Sequence, residues 1–292
     1  MTAICEFAPA KVNLTLEVLG RRADGFHQLR SLVAFSTDTG DIVTLDTAKP
    51  VAVTTSGPFA SSIAGANLAE TTLRLIERQA PDLQLGAVHL EKNLPVAAGI
   101  GGGSADAAAL MRAIKRANRD RADIDWISLA LKLGADVPVC LQATLSWMTG
   151  FGEKVHPIVR NGKAAIPAVI ANPLIAVPPD KTAQVFGALN AEPLTDDAPW
   201  VPTATRLPQA RDIVAAARDG HNVLEAPARK TMPALDDVLA ALSACPRAVL
   251  VRMSGAGPTC FALFEKQADA QAAASMLAEI HPQWWIRATS LR

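Results

Sequence analysis

The chain has 292 residues, half of them hydrophobic and 19% charged, and its 28 basic residues balance 28 acidic ones. This length suggests one large or two ordinary domains with enough apolar residues for buried cores. The balanced charge argues against nucleic-acid binding as the main function, so the expected partner is a small molecule. The four cysteines lie far apart and the five histidines lack metal-ligand spacing, so neither a disulfide framework nor a zinc site is indicated.

We expect a cytoplasmic protein that binds no membrane. Scattered cysteines fit a reducing compartment. No apolar run reaches the roughly 18 residues of a membrane span, and residues 1–7 lack the basic start and long apolar segment of a signal peptide.

The first elements in chain order are predicted strands. Residues 10–18 alternate between apolar and polar side chains, which predicts one strand with Lys11 and Asn13 on the same face. The elements predicted next are a turn at residues 20–25, strands at 31–35, 41–45 and 51–54, and a helix at 67–78.

A glycine-rich segment, residues 95–106, lies between a predicted strand and a predicted helix. Val88 and Leu90 alternate with polar residues before it, and apolar residues recur with a helical period after it. Glycines allow close backbone approach, and free N–H groups at a helix start attract an anion. The segment therefore predicts a phosphate site, although neither the Walker pattern nor the dinucleotide fingerprint fits. A tight turn without a ligand is the alternative.

An aspartate in a turn follows the next helix. That helix is predicted from Asp125, a suitable cap, to Leu133, with Gly134 at its end. Because Pro138 disfavours helical geometry in the residue before it, Asp136 is left at a turn. The local pattern suits Asp136 equally well as a cap of a following helix and as a chemical group.

A strand at residues 145–148 ends near residue 152, where a domain boundary is predicted, giving domains 1–152 and 153–292. Residues 191–211 carry four prolines among polar residues, which predicts a long, mobile surface insertion. The other elements favour a split βαβ sheet covered by helices on one face. They are strands at 168–171, 248–253, 259–264 and 284–288 and helices at 182–189, 235–242 and 269–280.

Three separated motifs, residues 8–14, 95–109 and 252–257, resemble the three motifs of the GHMP kinase superfamily. These enzymes phosphorylate hydroxyl or acid groups of small molecules with ATP. Residues 22–27, 134–138 and 222–225, with the triple glycine, resemble the branch that acts on a cytidine diphosphate-linked alcohol of the non-mevalonate isoprenoid pathway. The resemblance implies a two-domain α+β fold, with an N-terminal domain like ribosomal protein S5 and a ferredoxin-like, split βαβ C-terminal domain.

The resemblance implies that Asp136 takes the proton from the substrate hydroxyl and that Lys11 holds this hydroxyl and the carboxylate. Phosphoryl transfer needs mainly positioning and charge compensation, which suits both roles. The alternative for Lys11 is an edge-strand lysine that discourages pairing.

The resemblance also implies a set of ATP-binding residues. Ser104 would offer its hydroxyl to a phosphate or to Mg²⁺, which ATP chemistry implies. Gly255 and Gly257 would lie against the phosphates, with a plain hairpin turn as the alternative. The full set is Pro95, Val96, Ala97, Ala98, Gly99, Ile100, Gly101, Gly102, Gly103, Ser104, Ala105, Gly255, Gly257 and, beside the adenine, Asn67.

At the substrate end, the family stacks cytosine between two aromatic rings beside a histidine, and Phe26, Phe186 and His27 match these positions. Family members usually carry tyrosine at Phe26, and this chain has no tyrosine. The ring face is retained, whereas the hydrogen bond of a phenol is lost. A purely structural histidine is the alternative for His27. Asn13 and Thr182 complete the implied substrate-binding residues.

The implied activity is ATP-dependent phosphorylation of the 2-hydroxyl of the cytidine diphosphate-linked alcohol, with release of ADP. One alternative is a GHMP kinase for homoserine or a mevalonate-type alcohol. The other is a non-catalytic ligand sensor, which the presence of both Lys11 and Asp136 disfavours. We expect a monomer or a weak homodimer.

Overall fold

The computed structural model describes residues 3–63, 65, 67–159, 165–195, 206–207 and 209–292. Within these ranges the strands are β1 (Ile4–Asn13), β2 (Glu17–Arg21), β3 (His27–Asp46), β4 (Ala52–Ser56), β5 (Ala87–Glu91), β6 (Ser146–Gly150), β7 (Lys154–Pro157), β8 (Ile166–Asn172), β9 (Leu250–Met253), β10 (Cys260–Leu263) and β11 (Trp285–Leu291). The α-helices of the same ranges are α1 (Leu68–Gln79), α2 (Gly102–Ala117), α3 (Trp126–Leu133), α4 (Val137–Gln142), α5 (Lys181–Leu189), α6 (Ala210–Asp219), α7 (Glu225–Thr231), α8 (Ala234–Ser243) and α9 (Gln267–Ile280). None of these helices combines the length and the apolar composition that a membrane span requires.

The chain divides into two units, each assembled from several segments. The first consists of Met1–Lys11, Thr39–Val96 and Gly101–Ala143. The second consists of Val12–Asp38, Ala97–Ile100 and Thr144–Arg292. The domain boundary near residue 152 stays a prediction.

In the first unit, β5 pairs in parallel with β4 and antiparallel with the C-terminal part of β3. Val88 and Leu90 are buried and alternate with exposed His89 and Glu91, as the period-two pattern predicts. Helix α1 begins at its cap Asn67, and its buried residues face α2 and α3. The predicted strands at 51–54 and 88–91 and the helix at 67–78 are therefore confirmed.

A buried ionic cluster ties the end of β5 to β3 and α2. Lys92 Nζ lies 2.5 Å from Asp41 Oδ2 and 2.7 Å from Asp106 Oδ2. Asp41 Oδ1 accepts the backbone N–H groups of Asn93 and Leu94. Burial, with the nearby negative charge of Asp41, raises the pKa of Asp106 well above its ordinary value. Because these charges are removed from water, loss of one partner would leave an uncompensated buried charge and be strongly destabilising.

In the second unit, four antiparallel strands follow the order β11-β8-β10-β9. Helix α8 contacts β9 and β10, and α9 contacts β8 and β11. One apolar core joins both helices to the strands, with Val169, Leu235, Ala262 and Leu277 among its buried residues. This arrangement confirms the split βαβ sheet with its helices on one face.

The prediction of one strand over residues 10–18 is wrong. The chain forms β1 and β2 instead, because the N–H groups of Leu14 and Thr15 both bond to the carbonyl oxygen of Leu32. Two donors on one acceptor interrupt the regular ladder, as at a β-bulge. The strands predicted at 31–35 and 41–45 are parts of the single strand β3.

Three further elements have no counterpart in the predictions: β7, α6 and α7. Helix α6 starts within the predicted insertion 191–211, at Ala210. Most of that insertion, residues 196–205 and 208, lies outside the described residues. At its start, Pro193 forms a parallel bridge with Arg21.

Lys181, at the start of α5, is a buried lysine. Its ammonium group donates hydrogen bonds to the carbonyl oxygens of Ala256 and Gly257. Within the described residues it forms no ion pair, and burial lowers the pKa of Lys181 to about 8. In the unfolded chain, Lys181 keeps its proton until the pH reaches the ordinary pKa of lysine. At an alkaline pH between the two pKa values, folding therefore releases a proton from Lys181.

Lys181→Met is expected to remove a pH dependence of stability. The unfolded wild type binds more protons than the folded state above pH 8, so its unfolding free energy rises with pH there. Between pH 7.5 and 9.5, the unfolding free energy of the wild type should rise by about 2 kcal/mol more than that of the variant. Urea denaturation at both pH values measures it, with exposed Lys230→Met as the matched control. Parallel pH curves for wild type and Lys181→Met would contradict the lowered pKa.

Candidate active site

The glycine-rich segment leads directly into α2. Gly101 precedes the helix with φ of 64°, and a Cβ added there would lie 3.1 Å from Lys11 Cβ. Gly101 has no side chain that could cap α2, so the N–H groups of the first turn remain for another acceptor. At Gly103 an added Cβ would meet no atom within 4 Å. The start of α2 therefore offers unobstructed N–H donors and the positive end of a 16-residue helix dipole to an anion.

Lys11 and Asp136, far apart in the chain, form an ion pair. Lys11 Nζ lies 2.8 Å from Asp136 Oδ1, and the lysine side chain is 4% exposed whereas the aspartate is 39% exposed. Burial rules out a solvent-facing edge lysine. Asp136 occupies the N-cap position of α4 but its side chain makes no capping hydrogen bond. The carboxylate is thus paired with the ammonium and still accessible to a ligand.

Arg112 of α2 braces the two backbone segments that carry this pair. Its guanidinium donates to the carbonyl oxygen of Cys140 in α4 at 2.9 Å and to that of Phe7 in β1 at 2.7 Å. Asp136 directly precedes α4, and Lys11 lies in β1. Nothing in the local sequence separates Arg112 from a surface arginine, so sequence reasoning missed it.

In the second unit, the turn 254–257 contacts the middle of the glycine-rich segment. Ser254 Oγ donates to the carbonyl oxygen of Gly99 at 3.0 Å, and the N–H of Thr259 donates to that of Ala98 at 3.1 Å. Gly99 has φ of 78°, and an added Cβ would lie 2.6 Å from the carbonyl oxygen of Gly257. Only glycine fits this close backbone approach.

The segment 222–225 supports the same turn. Asn222 Nδ2 donates to the carbonyl oxygens of Met253 at 2.8 Å and Gly255 at 2.9 Å. Glu225 Oε2 accepts the N–H of Met253 at 2.9 Å. These residues belong to a motif that carries the family resemblance, and their hydrogen bonds hold the turn in place.

The aromatic residues predicted to bind the substrate each pair with another ring of the second unit. The His27 ring lies 5.0 Å from the Phe186 ring, and the Phe26 ring lies 5.0 Å from the Phe151 ring, measured between centroids. Phe26 is 56% exposed. Burial, with the charge of Arg21, lowers the pKa of His27 and so favours the neutral ring. Phe151 was missed, because its Gly-Phe-Gly context indicated only a boundary.

The remaining predicted residues have mixed surroundings. Asn67 Oδ1 caps α1 by accepting the N–H of Glu70 at 2.9 Å. Asn13 is buried, donating from Nδ2 to Ser31 Oγ at 2.8 Å. Thr182 is exposed and Ser104 is half-buried. Binding roles for these four residues stay predictions.

Among the described residues, no three His, Cys, Asp or Glu side chains are arranged to hold a metal ion.

Two family models match the chain. "GHMP kinases N terminal domain" covers residues 67–143 and "GHMP kinases C terminal" covers residues 206–283. A protein of Rhodopseudomonas palustris (strain BisB5), named 4-diphosphocytidyl-2-C-methyl-D-erythritol kinase, is 45% identical over 300 residues, covering 100% of both chains.

Solved structures of similar proteins agree with the family models. A crystal structure of 4-(cytidine 5'-diphospho)-2C-methyl-D-erythritol kinase has a TM-score of 0.74 and 31% identity, covering 99% of each chain. Homoserine kinase from Cytophaga hutchinsonii has a TM-score of 0.67 at 20% identity, covering 99% of this chain and 95% of that one, which shows the shared fold alone. The predicted α+β GHMP kinase fold is confirmed. The chain belongs to the GHMP kinase family of ATP-dependent kinases, in the branch of the 4-diphosphocytidyl-2-C-methyl-D-erythritol kinases.

Proposed function

We propose that the protein transfers the γ-phosphoryl group of ATP to the 2-hydroxyl of 4-diphosphocytidyl-2-C-methyl-D-erythritol and releases ADP. The observation that carries the proposal is the ion pair of Lys11 and Asp136, with Nζ 2.8 Å from Oδ1. Gly101, directly before α2, lies against the stem of the same lysine. An acid, an amine and an anion-binding helix start are the parts that phosphoryl transfer requires.

Asp136 accepts the proton of the substrate hydroxyl as the oxygen attacks the γ-phosphorus. Its half-exposed carboxylate can reach a ligand, whereas buried Lys11 cannot move far. The ammonium orients the carboxylate and stabilises negative charge that develops on the attacking oxygen. Because the transition state is loose, a carboxylate suffices as a late proton acceptor.

Residues 95–105 bind the ATP phosphates through backbone N–H groups, chiefly at the start of α2. Gly255 and Gly257 contribute from the turn that contacts Ala98 and Gly99. Ser104 offers an oxygen donor suited to Mg²⁺, which would otherwise be held by phosphates and water. When bound, Mg²⁺ neutralises charge on the phosphates. The remaining proposed contact to ATP is Asn67 at the adenine.

The cytidine end binds at the aromatic residues of the second unit. Phe26 and Phe186 offer ring faces for stacking, and neutral His27 can both donate to and accept from the base edge. The pairing of Phe186 with His27 holds both rings in position. Asn13 and Thr182 are the further proposed substrate contacts.

The remaining proposals concern the domain boundaries, the oligomeric state, the location and the partners. We propose domains 1–152 and 153–292, a monomer or weak homodimer, a cytoplasmic location, and no binding to nucleic acid or membranes. The balanced charge and the scattered cysteines support these proposals.

Asp136→Asn is expected to lower kcat by about 10² or more, because an amide cannot accept the hydroxyl proton. The dissociation constant of ATP should stay within about threefold, since the phosphate-binding backbone is unchanged. Coupled-assay kinetics and calorimetry measure both values, with exposed Asp82→Asn as the matched control. An unchanged kcat would remove Asp136 from the mechanism.

The purified protein with ATP is expected to prefer the cytidyl alcohol over homoserine and mevalonate by at least about 100-fold in kcat/KM. Polar and aromatic groups that bind the cytidine diphosphate would have no partner in the smaller alcohols. Phosphorylated product is quantified for each acceptor. Turnover of homoserine without turnover of the cytidyl alcohol would overturn the proposed substrate.

Phe186→Leu is expected to raise KM for the cytidyl substrate about tenfold, because an aromatic face contributes about 1–3 kcal/mol to base stacking. KM for ATP should not change. Phe26→Tyr retains the ring face and should leave both constants within about threefold. Steady-state kinetics with each substrate varied provides the values, and equal KM values in Phe186→Leu and wild type would contradict the cytidine assignment.

A further inference from the structure

A buried cation lies behind the turn 254–257 of the second unit. Lys181 begins α5 and is 4% exposed. Its ammonium group donates to the carbonyl oxygen of Ala256 at 3.4 Å and, more closely, to that of Gly257. Lys181 therefore joins α5 to the turn that is proposed to contact the ATP phosphates.

The other carbonyl oxygens of this turn also have protein donors. The carbonyl oxygen of Ser254 accepts the N–H of Gly257 at 3.0 Å, and that of Gly255 accepts from Asn222 Nδ2 at 2.9 Å. Together with the two bonds from Lys181, all four carbonyl oxygens of the turn are bound by the protein. A carbonyl oxygen carries partial negative charge, so one that pointed at a phosphate group would repel it.

Two N–H groups of the same turn have no acceptor. Those of Gly255 and Ala256 form no hydrogen bond within the part of the chain that the structure describes. Such groups are rarely left without a partner in a folded protein. Successive N–H groups in a turn form a concave site for an anion. The turn thus has its acceptors occupied and two donors available.

No ion pair compensates the charge of Lys181 among the described residues. Each charged or titratable group on its neighbouring elements bonds to another residue, contacts another ring or faces solvent: Asp180, Glu225, Arg229, Lys230, Arg252 and His27. A buried cation without a counter-ion is costly, and an anion bound nearby offsets that cost.

We propose that Lys181 is a positioning residue for ATP, which holds the turn 254–257 by its carbonyl oxygens and places a positive charge behind the phosphate groups. This inference rests on the proposed contact between the turn and ATP. Because the ammonium group bonds to the backbone of the turn, Lys181 acts through that turn and not on the reacting atoms.

The charge of Lys181 links ATP binding to protons. ATP brings negative charge near the ammonium group, which favours its charged form and raises the pKa of Lys181 above about 8. At pH 8.5 the lysine is mostly uncharged before ATP binds, so binding should take up about half a proton if this pKa rises by about one unit.

Lys181→Met is expected to raise the dissociation constant of ATP at least about tenfold at pH 7.5, because the turn loses a charged donor. The dissociation constant of the cytidyl substrate should stay within about threefold. Lys181→Gln keeps a donor without the charge and should give an intermediate value for ATP. Isothermal titration calorimetry measures each constant, with exposed Lys230→Met as the matched control.

Proton uptake gives a readout that a purely structural lysine would not change. Calorimetry of ATP binding at pH 8.5 in buffers of different ionisation enthalpy measures this uptake, which Lys181→Met should lose and Lys230→Met should retain. If Lys181→Met fails to fold, Lys181→Gln serves the same comparison.

Equal ATP affinity or equal proton uptake in wild type and the Lys181 variants would overturn the proposal. An equal loss of affinity for ATP and for the cytidyl substrate would also overturn it, since that result indicates a structural role. Absence of ATP binding by the wild type would instead contradict the proposed function.

Discussion

The buried ion pair of Lys92 and Asp106 is the constraint on which the rest of this structure depends. Lys92 precedes the glycine-rich segment and Asp106 is its last residue, so their 2.7 Å contact closes the segment into a loop. Asp41 completes the cluster and accepts the backbone N–H groups of Asn93 and Leu94, shortly after β5. Burial of three charges is costly, and the mutual attraction and hydrogen bonds offset that cost only in this geometry. The cluster therefore anchors both ends of the loop.

Two glycines of this loop have backbone conformations and close contacts that favour glycine. Gly99 and Gly101 adopt positive φ angles. An added Cβ would collide with the carbonyl oxygen of Gly257 at Gly99 and would lie in tight contact with Lys11 Cβ at Gly101. The backbone rather than side chains is thus presented to a ligand, as phosphate binding requires. Preorganised donors of this kind stabilise transferred charge without rearranging during the reaction.

The ion pair of Lys11 and Asp136 depends on a second brace, Arg112. By bonding to carbonyl oxygens in β1 and α4, one guanidinium holds the two segments that carry the acid and the amine. A buried lysine beside a half-exposed aspartate leaves part of the carboxylate accessible, as the proposed proton transfer requires. Positioning of this kind is the main contribution that a protein makes to phosphoryl transfer.

The sequence predicted those elements that depend on residues close together in the chain. Helix α3, for example, begins and ends where Asp125 and Gly134 indicate, and Asp125 Oδ1 accepts the N–H of Ser128. The break between β1 and β2 was not predictable, because it depends on Leu32, which is distant in sequence. Family motifs identified Lys11 and Asp136.

Residues that act through tertiary contacts carried no sequence signal. Arg112 and Phe151 are ordinary residues in their local sequences, and only the fold shows what each one contacts. The buried state of Lys181 was equally hidden, because a lysine at a helix start normally faces water.

The most direct test of the catalytic pair is a crystal structure with a non-hydrolysable ATP analogue and 4-diphosphocytidyl-2-C-methyl-D-erythritol. The 2-hydroxyl oxygen is predicted to lie about 3 Å from the Asp136 carboxylate, with the γ-phosphate group at the start of α2. A hydroxyl bound away from both Lys11 and Asp136, or phosphates bound elsewhere than at residues 95–105, would contradict it.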